Sequence, residues 1–423
     1  MTDVSGTKQS TLRTALAGLI GNVLEWFDFA VYGYFASNIG HQFFPKSDPA
    51  VQTFLAYATF ALGFFARPIG SIVLGRVGDR IGRKALLTLS IALMGGATLA
   101  IGLLPGYEQI GVAAPALLIL LRLVQGFSLG GEFTGSMVYT TELASPLMRG
   151  LVSSSTAAGT TLGFILGSAS SWLVERSLTA EQASRWGWRI PFIASVLFCV
   201  GGWLLRKGIH ESEQGQKAAK VRAPILQSLI ADWRPIVQTF GIVGMTNAVY
   251  YLVFTFAVEQ RKAQLGKEAA AFQLVNTLSL FAVLFSKVLG GWLSDRVGRR
   301  RMMIALTLAM MGAIYFALPV MRSGAPSEFM FGQVLMAVPL GMALGLQGAM
   351  VVEIFPLRTR VTSMSFAYSV TLALAGGLAP LVATWLIKTY ANEMLPAYYI
   401  MLYGVVGLAL LWPMKETNAR SLD

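Results

Sequence analysis

Metal-binding and nucleophilic side chains are scarce in this sequence. It contains one cysteine, Cys199, and two histidines, His41 and His210, among 423 residues. One cysteine excludes an intrachain disulfide and a thiolate metal site, and two histidines this far apart supply no cluster of metal ligands. We therefore expect no metal and no cofactor, and a polytopic membrane enzyme is the less favoured class because it would need such a cluster.

Charged residues are also few. They make up 13% of the chain against 55% hydrophobic residues, and the mean hydropathy is +0.60. A soluble domain of this length is improbable with such a composition. The formal net charge of +12 is typical of cytoplasmic loops in a membrane protein rather than of nucleic-acid binding. The first nine residues are short and polar, so we expect no cleavable signal.

Twelve apolar runs are long enough to cross the ~30 Å hydrocarbon core of a bilayer as helices. The stretch after the sixth run is charged and predicts a cytoplasmic linker. We therefore divide the chain into an N-terminal six-helix lobe (1–205), a linker (206–234) and a C-terminal six-helix lobe with a short tail (235–423). The runs span roughly 14–36, 51–74, 85–105, 113–141, 150–174, 188–205, 235–258, 268–290, 302–320, 328–354, 361–387 and 397–413.

One ten-residue pattern of glycine, aspartate and arginine occurs twice. Its copies are Gly75–Lys84 and Gly291–Arg300, which lie 216 positions apart, about half the chain. This offset indicates a duplicated half, as in transporters built from parallel repeats. Glycine permits a sharp turn and the aspartate can cap a helix. We therefore predict a tight cytoplasmic loop at each copy.

Lysine and arginine are unequally distributed between the two sides of the predicted bundle. With the N-terminus inside, the cytoplasmic segments hold 21 of them and the outer loops hold 9. The positive-inside rule then places both termini in the cytoplasm.

Two carboxylates and one arginine interrupt the first two spans. Glu25 and Asp28 lie three residues apart and share a face of the first helix, while Arg67 lies near the cytoplasmic end of the second. An ionised carboxylate near the bilayer centre costs at least ~2.5 kcal/mol, so such residues commonly have a function. Proton coupling is one interpretation; a permanent ion pair with a cation such as Arg67 is the other.

Several stretches resemble the metabolite:H+ symporter family of the major facilitator superfamily. They are 21–29 in the first span, Arg67–Gly70, Gly75–Lys84, Arg122–Glu132 and Trp186–Phe192. The likeness extends over nearly the whole chain and includes both organic-acid carriers and proline/betaine carriers. It implies an all-α polytopic fold with twelve transmembrane helices in two pseudo-symmetric lobes. It also implies proton symport by alternating access, with spans one, four, seven and ten around a central cavity.

The fourth span carries Arg122 and Gln125 on one face, with Glu132 further along. The resemblance implies that Arg122 sets the proton affinity of a neighbouring carboxylate. Direct contact with a substrate carboxylate and structural pairing with Glu132 remain the alternatives.

The C-terminal half contributes further polar candidates within its spans. Asn247, Tyr250 and Tyr251 lie in the seventh span, Lys287 in the eighth and Gln347 in the tenth. Tyrosine and amide groups can bind a carboxylate or surround a quaternary ammonium. Aromatic packing of the tyrosines and snorkelling of Lys287 are the structural alternatives.

A second pattern is also repeated in both halves. Glu142 and Arg149 are seven residues apart, and Glu353 and Arg360 repeat that spacing. Paired cytoplasmic charges that latch the lobes explain the repeat, and solvated loop charges are the alternative. With the ten-residue pattern they form our candidate gating set: Gly75, Asp79, Arg80, Arg83, Glu142, Arg149, Gly291, Asp295, Arg296, Arg299, Glu353 and Arg360.

These observations together predict a proton-coupled uptake carrier in a bacterial inner membrane, active as a monomer. We expect a small organic acid such as citrate or a dicarboxylate, because three intramembrane cations exceed what a zwitterion needs. Proline or glycine betaine is the alternative substrate. We assign the proton to Asp28, with Glu25 as its partner, Glu132 as the further candidate and Arg122 as the modulating cation. The candidate substrate residues are Arg67, Arg122, Gln125, Asn247, Tyr250, Tyr251, Lys287 and Gln347.

Overall fold

The computed structural model describes residues 22–46, 48–81, 83–130, 132–207, 225–265 and 269–418. Within these ranges the side chains at 75–76, 78–87, 132, 143, 198, 202–207 and 265 are not described. Most of the predicted linker and the first part of the predicted first span lie outside the described residues.

The described residues form helices and turns, and each of the twelve predicted spans coincides with a long helical segment. We number these segments α1 to α12, with bounds as follows: α1, 22–34 continued by Ala36–Phe43; α2, Pro49–Ile81; α3, Arg83–Leu103; α4, Ala113–Ser128 continued by Glu132–Leu143; α5, Arg149–Ser177; α6, Arg189–Lys207; α7, Trp233–Tyr251 with a π-helical turn Leu252–Phe256 and Ala257–Leu265; α8, Ala269–Val297; α9, Arg299–Arg322; α10, Pro326–Ile354; α11, Arg360–Leu372 with a π-helical turn Ala373–Gly377 and Ala379–Tyr390; and α12, Leu395–Leu411.

Eight of the helices described here are long and apolar enough to cross a membrane. Shorter apolar helices lie at Thr88–Leu103, Arg189–Gly201 and Leu395–Leu411, within α3, α6 and α12. The described connections between consecutive segments are short, so the helices that they join run in opposite directions and these connections lie at two faces. The connection from α6 to α7 lies largely outside the described residues. One face holds the junctions 144–148, 298 and 355–359 and the tail at 412–418. We call it the tail face, and the other the opposite face.

The loop is shorter than we expected: in the described residues most of the ten-residue pattern is helical, and at the second copy the turn is confined to Gly298. The α2 helix continues to Ile81 and α8 to Val297, and a single glycine position separates each from the next helix. At the second copy that residue is Gly298, with φ +104°, a conformation that side-chain-bearing residues rarely adopt. Polar residues at the end of a helix lie beyond the hydrocarbon, so they do not require the helix to stop where the apolar run stops.

Equivalent helix pairs pack closely in the two halves. A Cβ atom at Gly126 of α4 would overlap the carbonyl of Gly63 on α2, and one at Gly345 of α10 would overlap the carbonyl of Lys287 on α8. Small residues at these crossings let the backbones touch, as is common where lipid provides no hydrophobic drive for association.

The two halves contact each other at both faces. On the opposite face, Lys262 of α7 pairs with Glu175 of α5 at 2.6 Å. On the tail face, Arg360 of α11 pairs with Glu142 of α4 at 2.6 Å. Between these contacts lies a buried aromatic cluster contributed by α1, α2, α5 and α7. The described conformation is therefore closed at both ends of the lobe interface.

Candidate functional site

The first candidate, Glu25 of α1, forms a buried ion pair with Arg67 of α2. The two side chains are 2% and 3% exposed. The guanidinium also lies over the ring of Trp26, with its central carbon 5.4 Å from the ring centroid. Removing one partner of such a pair would leave an uncompensated buried charge, which typically costs ~3–5 kcal/mol. The pair that the sequence allowed is thus formed, and it fixes α1 against α2.

Asp28 lies on a different hydrogen-bonded chain, although it is only three residues from Glu25. The hydroxyl of Thr98 on α3 donates to Asp28 Oδ2 at 2.6 Å. Gln125 of α4 donates to the same hydroxyl at 2.7 Å and accepts from Arg122 Nη1 at 2.9 Å. Asp28 and Arg122 are thus joined through two neutral polar side chains rather than by direct contact.

Arg122 is enclosed by aromatic rings. Its central carbon is 4.2 Å from the ring centroid of Tyr32 and 4.7 Å from that of Phe29. The side chain is fully buried, and its Nε and Nη2 atoms have no hydrogen-bond partner in the described part of the chain. An arginine held by ring faces keeps donors available, which fits a group that changes partner during a cycle. The side chain of Glu132, its other predicted partner, is outside the described residues.

A central cavity of about 30 Å³ lies between the two halves, with room for about two water molecules. Seven segments line it: α1, α4, α5, α7, α8, α10 and α11. The resemblance implied α1, α4, α7 and α10, and the structure adds the other three. The lining comprises Trp26, Phe133, Met137, Ala157, Thr160, Phe164, Asn247, Tyr250, Tyr251, Lys287, Leu344, Gln347, Gly348 and Tyr368.

Lys287 contributes a buried ammonium group to the cavity lining; its residue is 2% exposed. Its ammonium donates to the backbone carbonyl of Ala157 and to the hydroxyl of Thr160, both at 2.9 Å and both on α5. Nothing among the described carboxylates lies within 4.0 Å of it. The snorkelling interpretation is therefore wrong, because the side chain points across the lobe interface.

The structure divides the predicted substrate residues into two groups. Asn247, Tyr250, Tyr251, Lys287 and Gln347 line the cavity together. The three N-terminal candidates do not line it, because they are engaged in the networks around Glu25 and Asp28: Arg67, Arg122 and Gln125. A second small cavity, of about 20 Å³, includes Glu25 and Asp28 in its lining and lies inside the N-terminal half.

Several residues of the site were not predicted. Trp26, Phe164 and Tyr368 supply ring surface to the cavity, and Thr98 joins Asp28 to Gln125. The hydroxyl of Tyr368 accepts from Gln347 at 3.1 Å. Aromatic and threonine residues occur throughout the spans, so only the packing of the helices distinguishes these from their neighbours.

The second copy of the ten-residue pattern forms contacts between the halves on the tail face. Asp295 of α8 accepts from the backbone N–H groups of Gly150 and Leu151, at 2.8 and 2.9 Å. These residues begin α5, where free N–H groups and the helix dipole favour a carboxylate. Arg299 donates to Asp295 at 2.8 Å and pairs with Glu353 at 3.3 Å.

One of the charges in the seven-residue pairs forms a contact between the halves. Glu142 of α4 pairs with Arg360 of α11, whereas Glu353 pairs with Arg299 of its own half. Arg149 is buried at the start of α5. The candidates Gly75, Asp79, Arg80 and Arg83 lie where side chains are not described. Arg296 stacks on Trp292, 3.8 Å from its ring centroid, and Gly291 lies against Gly150.

Comparisons with known proteins agree with this architecture. A family model for sugar (and other) transporters matches residues 14–213, and one for the Major Facilitator Superfamily matches residues 239–421. The chain is 33% identical to a proline/betaine transporter of Salmonella typhimurium, over 99% of this chain and 87% of that protein. It is 34% identical to a citrate-proton symporter of Klebsiella pneumoniae, over 95% of this chain and 91% of that one.

Solved structures support the fold. The proton:xylose symporter XylE, bound to 6-bromo-6-deoxy-D-glucose, superposes with a TM-score of 0.76 over 98% of each chain. At 16% sequence identity this similarity shows the fold alone.

Proposed function

The chain belongs to the metabolite:H+ symporter family of the major facilitator superfamily, and we propose that it takes up a small organic anion together with protons. It is a membrane transporter and not an enzyme. Its relatives include both citrate-proton symporters and proline/betaine transporters at similar identity, so the substrate has to be argued from the site.

Lys287 is the observation that carries the proposal. A buried ammonium without a carboxylate partner is costly, and the neutral oxygens of Ala157 and Thr160 compensate only part of its charge. An anionic substrate in the adjoining cavity would neutralise it. Of the other two buried cations of the predicted substrate set, Arg67 pairs with Glu25, and Arg122 is linked to Asp28 through Gln125 and Thr98; neither lines the cavity.

The ring surfaces of the cavity favour an organic acid over a betaine. A cage for a quaternary ammonium needs ring faces free of other cations. Arg67 lies over Trp26, and Lys287 lies 5.9 Å from the ring centroid of Tyr250. Those two faces already interact with cations of the protein. The other four rings of the lining remain for a zwitterion: Phe133, Phe164, Tyr251 and Tyr368. Tyr250 and Tyr251 are the basis of the alternative substrate, proline or glycine betaine.

Proton coupling in this proposal resides at Asp28. Its chain through Thr98 and Gln125 to Arg122 crosses α1, α3 and α4. A shift of any of these helices changes how well the carboxylate is paired and hence whether it holds a proton. Glu25, paired with Arg67, stabilises α1 and modulates Asp28, and Glu132 is the further candidate.

Gating in this proposal uses the two closed ends of the lobe interface. Opening the tail face requires Asp295 to leave the start of α5 and Arg360 to leave Glu142. Gly75, Asp79, Arg80 and Arg83 are proposed to act equivalently at the first copy of the pattern. We propose that the tail face is cytoplasmic, that the carrier resides in a bacterial inner membrane, and that one chain forms the complete pathway.

A thermal-shift screen on the purified protein tests the substrate class. A ligand of the folded state raises the melting temperature by mass action. We expect citrate, dicarboxylates or other small organic acids to raise it, and proline and glycine betaine to have no effect. Stabilisation by glycine betaine alone would favour the alternative substrate.

A further inference from the structure

A buried charge cluster lies at the opposite face, away from Asp28 and from the central cavity lining. It consists of Glu175 on α5 and Glu259 and Lys262 on α7. The side chains are 9%, 4% and 7% exposed. Lys262 Nζ is 2.6 Å from Glu175 and also donates to the carbonyl of Tyr34 on α1 at 2.7 Å. The cluster therefore joins the two halves where the opposite face is closed.

We propose that this cluster is a second proton-binding site, occupied when the opposite face is closed and vacated when it opens. Two carboxyl groups share one ammonium, so the cluster bears one uncompensated negative charge if both are ionised. Burying such a charge costs several kcal/mol, whereas one bound proton makes the cluster neutral.

Among the described residues, Lys262 is the cation that lies within 4.0 Å of the two carboxyl groups. Tyr34 and Tyr57 are neutral phenols, and both are buried. Of the other charged or titratable groups on the adjoining segments, Arg176 is exposed at the end of α5, and three have partners elsewhere: His41 with Gln52, Arg261 with Gln264 and Phe272, and Lys388 with Asp48. From α8 and α10 the nearby polar groups are the neutral amides Gln273, Asn276 and Gln333.

Glu259 is the carboxyl group that receives the proton. Glu175 accepts from Lys262 at 2.6 Å and from Ser171 at 3.1 Å, both at Oε1. Glu259 lies 3.5 Å from Lys262, a weaker contact, and is the more buried of the two. The poorly paired carboxylate is the one that burial penalises more. Glu175 Oε2 has no partner among the described atoms, which leaves an acceptor for the protonated Glu259 or a water within the cluster.

The consequence is a gate that responds to pH. When the halves separate at this face, water hydrates both carboxylates and Glu259 releases its proton to the medium on that side. Acid on that side therefore favours the closed gate, and alkali favours the open one. The proton returns to the side from which it came, so it adds nothing to the transport stoichiometry. The chemistry is one O–H bond formed on closure and broken on opening.

Cysteine labelling measures this gate directly. Thr255 on α7 is buried against Gly33 of α1, and its hydroxyl has no partner in the described structure. In a Cys199→Ser background, Thr255→Cys is a reporter that a membrane-impermeant maleimide reaches only after the halves separate. The labelling rate of Thr255→Cys is divided by that of Val112→Cys, which removes the pH dependence of thiol chemistry. Val112 is 73% exposed and lies on the same face.

We expect the normalised rate to fall between pH 8 and pH 6, approaching tenfold per pH unit if one proton is exchanged. Glu259→Gln makes the cluster neutral without a proton, so its profile should be flat, and Glu175→Gln provides a second variant with the same expectation. Glu328→Gln, at an exposed carboxylate on the same face, should keep the wild-type slope. A wild-type profile without slope, or a slope retained in both cluster variants, would overturn the proposal.

This inference rests on the proposed membrane orientation but not on the identity of the substrate. Labelling of Val112→Cys from outside intact cells tests the orientation separately. Because the assay contains no substrate, a failure of the organic-anion proposal leaves the pH profile unchanged.

Discussion

Lys287 of α8 donates a hydrogen bond to the carbonyl of Ala157 on α5 at 2.9 Å, across the interface between the two halves. A cation of one half is thereby held by a neutral backbone oxygen of the other. A substrate carboxylate in the cavity would attract the same ammonium more strongly than a carbonyl does, since hydrogen bonds between charged groups are the stronger ones. Substrate binding and the contact between the halves therefore depend on the same side chain.

Asp28→Asn should abolish uphill accumulation while leaving some counterflow. The amide can still bond Thr98, but it cannot exchange a proton. Accumulation under an inward pH gradient and counterflow without a gradient, both in proteoliposomes, separate the two properties. Glu25→Gln should leave coupling measurable per folded molecule, although loss of the Arg67 partner lowers stability. If Asp28→Asn still accumulates substrate, the assignment is wrong and the coupling proton belongs to Glu25 or Glu132.

Thr98→Val tests the hydrogen-bonded chain between Asp28 and Arg122. It removes the hydroxyl that bonds Asp28 and Gln125 and leaves both side chains buried without that partner, at a cost of ~1–3 kcal/mol each. We expect the pH dependence of uptake to shift, with substrate affinity in detergent unchanged. Thr255→Val is the matched control, because the hydroxyl of Thr255 has no partner in the described chain. The same pH dependence of uptake in the two variants would contradict a role for this hydrogen-bonded chain in coupling.

Asp295→Asn should favour opening of the tail face. The carboxylate accepts from the first N–H groups of α5 and from Arg299, and hydrogen bonds to charged groups contribute ~1.5–3 kcal/mol. Labelling of Ser153→Cys, a buried α5 position near Gly348, should rise in a Cys199→Ser background. Glu328→Gln serves as the control. Lost transport with unaltered labelling would argue against a gating role.

Glu416→Gln should destabilise the folded protein in a pH-dependent manner. Glu416 accepts from the backbone N–H groups of Arg299 and Arg300 at the start of α9, at 2.6 and 3.1 Å. Burial raises the pKa of this carboxyl, but its backbone hydrogen bonds together outweigh burial and lower the pKa overall. A lowered pKa means that its stabilisation is present above the ordinary carboxyl pKa and disappears as the pH falls through the folded value.

The melting temperature of the solubilised protein tests this prediction. The gap between wild type and Glu416→Gln should be largest near pH 7, with a typical capping contribution of ~0.5–2 kcal/mol, and should narrow in acid. An equal gap at both pH values would show that Glu416 acts through packing rather than charge.

The number and order of the long helical segments in the described residues could be predicted from the sequence, because apolar runs of membrane-spanning length are easily recognised. The same apolar pattern also revealed Glu25, Asp28, Arg67 and Lys287, since a charge in a span is conspicuous. Helix ends could not be predicted in the same way. The helices continue through 75–81 and 291–297, where polar residues interrupt the apolar runs and hydropathy carries no signal.

Partners across helices could not be predicted, because hydropathy does not determine how one helix is rotated against another. Glu142 and Arg149 share a spacing with Glu353 and Arg360, but the structure pairs Glu142 with Arg360. Glu259 and Lys262 follow the apolar run of the seventh span, so in the sequence they cannot be distinguished from loop charges. Their cluster with Glu175 depends on how α7 packs against α5.

The affinity of wild type and Lys287→Gln for a stabilising organic acid is the most direct test of the anion proposal. It is measured on detergent-solubilised protein, where no gradient contributes, with Lys388→Gln as a control at a half-exposed lysine. We predict that Lys287→Gln weakens binding by ~1.5–3 kcal/mol, roughly 10- to 160-fold, and that Lys388→Gln leaves it unchanged. Unaltered affinity in Lys287→Gln would contradict the account and favour a zwitterion held by Tyr250 and Tyr251.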